Sequence, residues 1–425
     1  MSDREEPRPG LGEILLEEIQ RGPSGELPWW RRAAQALVIP ALAVLSGLIL
    51  GGIFIFLTTE SVYSGWAQSP LIGLGNGFRA VISAYVALLN GSIGNPGRIV
   101  SALQSGEAEA IRRAFNPMLE SLVKSTPFIF AGLAVALGFR VGLFNIGAEG
   151  QLFVGATVAA FLGYSLTGLP SVLHIPVALI GGALGGAAWG FIPGWLKART
   201  GGHEVINTIM MNYIAIRLSE WLLRGPMQRP DSFNPVSPTI EPTAMLPRFF
   251  EAPIRFHLGF FLALGAAYLV YWFLFKTTWG FHLRTVGANP RAAHYAGMNT
   301  LTAIVAAMAI SGALAGLAGA NDVLGVNHNL ALAFSAGTGF DAIALALLGK
   351  SHPAGVVLAA LLFGTLKNGA TQMQLSAGVP IDIIAILQAM ILMFIAAPAI
   401  TRTIYRLRKP VVEEQVATIG GWGGE

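Results

Sequence analysis

From Ala33 to Leu57 the chain carries no charged residue, and apolar runs of this kind recur as far as residue 400. A bilayer's hydrocarbon core takes about 20 apolar residues per helical span, and by that window the sequence holds roughly ten candidates. In hydrocarbon every backbone N–H and C=O needs a partner, and a helix supplies its own. Charged residues make up only 12% of the chain, against about 25% in soluble domains. The pattern predicts an all-α, polytopic integral membrane protein with broken helices.

Residues 1–32 are polar and rich in Gly and Pro, and read as a cytoplasmic extension with a short helix around Leu11–Gln20. Trp29, Trp30, Arg31 and Arg32 then form an interfacial belt. A signal peptide has an apolar core of about 7–15 residues followed by a small-residue cleavage site. The run 33–57 is longer, and Thr58-Thr59-Glu60-Ser61 follows it. It is therefore read as a retained first span, running from inside to outside. Segment 58–118 reads as mainly external. Leu71–Leu89 is apolar enough for a further span, but Asn76, Arg79 and several glycines and serines interrupt it, which favours an external or interfacial helix.

A transmembrane core follows over 119–401, with spans near 120–140, 150–168, 174–196, 204–223, 257–276, 300–320, 340–350, 353–371 and 379–400. Both termini then fall inside, as does a loop at 277–299 and a tail at 402–425. The inner segments collect Lys197, Arg199, Lys276, Arg284, Arg291, Lys350, Arg402, Arg406, Arg408 and Lys409, in keeping with the positive-inside tendency. The external loop 224–256 also holds four arginines, partly balanced by Asp231, Glu241 and Glu251.

Between two apolar runs lies Gly142-Leu143-Phe144-Asn145-Ile146-Gly147-Ala148-Glu149-Gly150-Gln151. A carboxylate, two amides and three glycines at membrane depth mark a break between helices. A second short polar break, 349–353, joins later spans at the same side. Together they suggest a weak internal repeat, a feature common in transporters. Gly182, Gly186, Gly190 and Gly194 recur every fourth residue, and Gly312, Gly316 and Ala320 repeat the spacing. Such ridges let backbones approach closely. Packing within one subunit is the simpler reading, and a dimer face the alternative.

Several chemistries are excluded. The chain has no cysteine, hence no disulfide or thiolate site. Its 7 histidines show no metal-ligand spacing, and no nucleophile elbow is present. Gly349-Lys350-Ser351 imitates the end of a phosphate-binding loop, but Ala344 stands where the first glycine is needed. The chain therefore offers no ATP site of its own. Net charge +4 comes without a basic stripe interleaved with aromatics, so nucleic acid is not an expected partner.

The inner loop 277–299 carries a compact polar cluster. Asn289 is placed to cap a short helix with Pro290 at its first position and Gly297 at its end. At this position it reads as a docking element for a soluble partner.

Four ordered motifs now coincide: the FNIGAEGQL core within Gly142–Leu152, Gly202-His203-Glu204-Val205-Ile206-Asn207-Thr208 through Ile214, the Arg284–Gly297 segment, and Gly339-Phe340-Asp341 through Gly349. Over roughly 120–400 the chain resembles the permease subunits of bacterial nucleoside ABC importers, within the wider ribose and branched-chain amino acid permease superfamily. The resemblance implies a multi-pass protein of the inner membrane, paired with a second permease subunit in a homo- or heterodimer. It further implies two cytoplasmic ATPase subunits and an extracytoplasmic binding protein. ATP and magnesium would be used by the ATPase partners, with no cofactor on this chain. Arg284, Gly287, Asn289, Pro290, Arg291, Ala292, Ala293, Tyr295 and Gly297 would meet the ATPase. The extension 1–32 and the enlarged 58–118 depart from the family pattern.

Candidate pathway residues are Asn145, Glu149, Gln151, Asn207, Asn212, Phe340 and Asp341. Each has a structural alternative. Glu149 either lines the pathway, because a charge kept in the membrane is usually functional, or braces the break, because a carboxylate accepts backbone N–H bonds strongly. Asn207 and Asn212 stand five apart on a helix and share no stripe. Glu204 suits a helix start, and Asp341 suits a cap. Phe144, Phe153 and Phe340 can stack on a base or simply pack. The expected function is import of nucleosides, with ribose-like sugars or branched-chain amino acids as alternative cargo and an ion-coupled secondary transporter as the alternative class.

Overall fold

The computed structural model describes residues 29–230 and 232–406. The expected helix at Leu11–Gln20, Asp231, and the tail residues Arg408 and Lys409 lie outside the described residues. Helices account for the fold. They are α1 (Trp29–Thr58), α2 (Glu60–Trp66), α3 (Pro70–Ser92), α4 (Pro96–Ser105), α5 (Ala108–Arg140), α6 (Ala148–Ser165), α7 (Ser171–Thr200) and α8 (Glu204–Leu223). After a long loop come α9 (Gly259–Lys276), α10 (Thr278–Ala288), α11 (Pro290–Tyr295), α12 (Thr300–Asp322), α13 (Thr338–Leu348), α14 (Pro353–Ala377), α15 (Ile381–Ala396) and α16 (Pro398–Ile404). Among the described residues β-structure is limited to two isolated bridges.

Seven helices are long and apolar enough to cross a membrane: α1 from Ala41, α3, α5, α7, α9, α12 with its continuation to Asn327, and α14. The more polar α6 and α8, of 18 and 20 residues, and the shorter α13 and α15 complete the bundle. The polytopic all-α architecture expected from the apolar runs is therefore present. We call the end that carries α10 and α11 the inner end.

Segment 58–118 differs most from its sequence reading. Asn76, Arg79 and the glycines do not interrupt α3, which is continuous over 23 residues. Asn76 instead donates to Ser61 O, and Gly73 and Gly77 admit the rings of Trp66 and Phe56. The helix runs antiparallel to α1, since Gly77 faces Phe56 while Tyr85 Oη donates to Leu48 O. It ends deep in the bundle. Ser92 Oγ donates to the carbonyl of Thr365 at 2.8 Å, and Thr365 is the midpoint of α14. The chain turns there through Gly94, at φ 101°, and α4 returns alongside the first turns of α5.

The α3–α4 pair is thus a re-entrant hairpin that starts and ends on the outer side. It leaves the inside–outside order of the later spans unchanged. Irregular backbone at such depth survives only where protein satisfies it. Asn368 Nδ2 donates to Gly91 O (2.8 Å) and Pro117 O (2.9 Å), and Ser121 Oγ donates to Ser92 O (2.7 Å). Residues 108–118, expected outside the core, form the opening turns of α5. At 33 residues and about 1.5 Å per residue, α5 runs the full depth of the bundle.

The core is densest where α6, α7 and α12 meet. The two glycine ridges face one another. A Cβ on Gly186 would fall on Gly312 O and lie 2.7 Å from Gly316 Cα, and one on Gly155 would overlap Gly316 as well. The ridges therefore serve packing within the subunit, as the simpler reading expects.

Candidate functional site

Beyond Arg140, Gly142 takes φ 72° and the chain turns back into the bundle. Asn145 is fully buried and holds the break. Its Nδ2 donates to Gln151 Oε1 (2.9 Å) and Ser311 Oγ (2.8 Å), while its Oδ1 accepts from Gly147 N (2.9 Å) and Gln151 Nε2 (3.2 Å). Asn212 reaches in from α8, accepting from Gly150 N (2.8 Å) and donating to Ile146 O (2.9 Å). Asn145, Gln151 and Asn212 thus spend their polar groups on the break. Asn207 stands half-buried near the inner end of α8, with Glu204 at that helix's first residue paired to Lys197 Nζ at 2.5 Å.

Glu149 opens α6 and meets the start of α13. Its Oε2 accepts from Gly339 N at 2.6 Å, with the Ser335 side chain and the Gly337 backbone close by. The first N–H groups of any helix lack intrahelical partners, and they carry partial positive charge. Here the N-termini of two short helices converge on one carboxylate.

Around the outer part of this junction lies a set of charges that single-residue reading of the sequence missed. Asp341, on the first turn of α13, stands 3.6 Å from Lys367 Nζ on α14. Lys367 Nζ lies 5.0 Å from the Phe128 ring centroid on α5. Asp322, the last residue of α12, is within electrostatic reach of Lys124, Lys367 and Arg255. Arg255 in turn grips Glu120 through Nε (3.3 Å) and Nη2. Lys367 and Asp341 remain 32% and 37% exposed, and Phe340 beside them is exposed. Charged groups at membrane depth face water-filled space or the bundle interior rather than lipid. Residues from five segments far apart in sequence so gather into one cluster carrying both signs. A lone charge inside an apolar run was the available signal.

Asp322 directly precedes a π-helical turn, Val323–Asn327, and such turns frequently mark functional sites. Of the expected pathway residues, Asp341 belongs to this charged cluster, Phe340 stands exposed next to it in sequence, and Glu149 is buried at the junction of α6 and α13. Phe153 packs on Phe334, centroids 4.8 Å apart, and Phe144 on Phe139 at 5.1 Å.

At the inner end α11 forms with the expected cap: Asn289 Oδ1 accepts from Ala292 N at 3.0 Å, Pro290 is the first helical residue, and Gly297 ends the segment at φ 80°. Only Ala293 is buried, while Pro290, Arg291, Ala292 and Tyr295 are exposed. Arg284 and Gly287 belong to a separate helix, α10, which the sequence reading left within the loop. Gly287 is pressed against the end of α5, where a Cβ would lie 2.8 Å from Val141 Cα.

Broken helices and a partly buried cluster of charges, inside a bundle of apolar spans, are the architecture of a polytopic membrane protein with a polar interior. The chain belongs to the family of permease components of branched-chain amino acid transport systems, whose model matches residues 118–396. It is 41% identical over 366 residues to the guanosine ABC transporter permease protein NupP of Bacillus subtilis, covering 85% of this chain and 93% of that one. It is 36% identical to the glucose ABC transporter permease protein TsgB13 of Haloferax volcanii (65% of this chain, 75% of that one). Identity to the nucleoside ABC transporter permease protein NupB of Lactococcus lactis is 35% (65% and 78%). No solved structure matches at comparable significance. The chain is accordingly a multi-pass membrane permease of the ABC importer kind.

Proposed function

We propose that this permease imports nucleosides, driven by ATP hydrolysis in separate cytoplasmic subunits and fed by an extracytoplasmic binding protein. The observation that carries the reading is the 41% identity along 93% of a guanosine permease. The cluster of charges supports it. A nucleoside is uncharged but rich in donors and acceptors, which carboxylates and ammonium groups of both signs can satisfy in passing. Exposed Phe340 offers a face for the base. No bond is made or broken on this chain in the proposed cycle. A second permease subunit completes the pore, and closure of the ATPases moves α11 and switches access from outside to inside.

Uptake by proteoliposomes holding the assembled transporter tests the cargo. Labelled guanosine uptake should need ATP and fall with excess adenosine or uridine, and should ignore ribose, glucose and leucine. The relative named for glucose makes the sugar arm informative. Competition by glucose alone would overturn the nucleoside reading, and uptake driven by an ion gradient without ATP would overturn the class.

The exposed face of α11 suits contact with the ATPase. Arg291→Glu reverses a surface charge, and such substitutions usually leave stability within about 0.5 kcal/mol. We expect an unchanged melting temperature and a severe loss of ATP-driven uptake. Gly297→Trp should lose uptake alike but also melt somewhat lower, because open space surrounds the position while its φ of 80° strains any residue with a Cβ. Wild-type uptake by either variant removes α11 from the coupling route.

A further inference from the structure

Two arginines share one ring at the inner end. Arg140 Cζ lies 5.5 Å from the Phe275 centroid, and Arg284 Cζ lies 5.1 Å from the same centroid. Arg140 spends Nε on Ser351 O (2.9 Å) and Nη2 on Lys350 O (3.3 Å), holding the turn between α13 and α14. Arg284 Nε is buried and has no hydrogen-bond partner. Among the described residues neither guanidinium forms a salt bridge. Like charges this close, half out of water, are unfavourable unless an anion joins them.

The surroundings indicate which anion. Trp272 and Trp279 are 49% and 53% exposed, and Phe281 is exposed beside them. Lys276 and Lys350 are exposed at the same level. Tryptophans and lysines in this arrangement mark the headgroup layer of a bilayer. Tyr271, Phe275 and His352 close the inner wall, with ring centroids 5.4–5.8 Å apart. Burial, then the charge of Arg140, holds His352 below the usual histidine range, so it adds no charge. The exposed polar face of α11 offers Arg291, His294 and Tyr295 instead, and is a separate surface.

We propose that Arg140 and Arg284 bind the phosphate of an anionic phospholipid of the inner leaflet. A guanidinium presents a planar fork that fits phosphate, and Arg284, partly exposed as a residue, has no carboxylate among the described residues to occupy that fork. Basic pockets between helices on this side of a membrane take anionic headgroups. A lipid seated here bridges α10 to the turn that Arg140 holds, joining the helix next to α11 to the hinge of α13 and α14. The inference is independent of the cargo.

The test uses the full chain, purified and stripped of lipid. Phosphatidylglycerol should raise its melting temperature and persist as an adduct in native mass spectrometry. Phosphatidylcholine and inorganic phosphate should do neither. Arg284→Gln should bind phosphatidylglycerol about tenfold more weakly, the loss expected for one charge-assisted hydrogen bond. Arg284→Lys keeps the charge, loses the fork and should fall between, which serves if the glutamine variant does not fold. Equal binding by Arg284→Gln and wild type, equal binding of phosphatidylcholine, or the same shift from inorganic phosphate alone would each overturn the site.

Discussion

Gly186→Leu leaves almost no folded permease. A Cβ at Gly186 already overlaps the Gly312 carbonyl and crowds Gly316 N at 2.8 Å. The obstruction is backbone on both sides, so no rotamer relieves it. Gly190 stands 3.1 Å from Gly312 Cα by the same measure, which means α7 and α12 are in near contact along several turns. Overpacking a core costs about 1–3 kcal/mol when side chains can shift. Here whole helices must separate, and α6 moves with them because Gly155 lies against Gly316. Without a hydrophobic driving force between helices in lipid, close packing is what holds them. Gly186→Ala should lower the melting temperature measurably, and Gly265→Leu on α9, with open space around it, should not. A monodisperse Gly186→Leu protein with wild-type melting in detergent would show that the ridge is not a structural contact.

The ridge shows how far sequence alone reaches. Glycines every fourth residue are visible as a pattern, so both ridges were legible. That they face each other was not, because spacing says nothing about partners. The break at 142–151 was legible for a similar reason: a charge, amides and glycines at membrane depth contradict a continuous apolar helix. The re-entrant hairpin was not, because the residues that satisfy its tip, Ser121, Thr365 and Asn368, lie on helices distant in sequence. Asn76 and Arg79 signalled an interrupted helix, yet α3 begins beyond the end of α1 and beside α2, where polar groups are tolerated. The cluster of charges was half legible. Phe340 and Asp341 stood out within a motif, whereas Lys124, Asp322 and Lys367 are isolated charges whose convergence only folding creates.

Glu149→Gln decides between the two roles open to that residue. Glu149 is 2% exposed, and the group its carboxylate bonds directly is a backbone donor. Gly339 N–H lies at 2.6 Å, with the Ser335 side chain and Gly337 backbone close to the same carboxylate. The starts of α6 and α13 both direct their positive ends to this point, which favours a negative group. The backbones also touch, since a Cβ on Gly339 would lie 2.5 Å from Glu149 Cα. Glutamine keeps one acceptor but brings an NH₂ among groups that are themselves donors. At least one buried N–H then loses its partner, at about 1–3 kcal/mol. The expected result is a melting temperature several degrees lower, with uptake reduced in proportion to folded protein. Uptake per folded molecule should keep the wild-type pH profile, because a brace does not exchange protons with the medium. Glu149→Leu, with no acceptor at all, should lose still more folded protein. The opposite outcome is equally readable: wild-type melting in Glu149→Gln, together with a flattened pH profile of uptake, would make the carboxylate part of the pathway and leave the start of α13 to be held by Ser335, whose Oγ already accepts from Thr338 N at 3.3 Å.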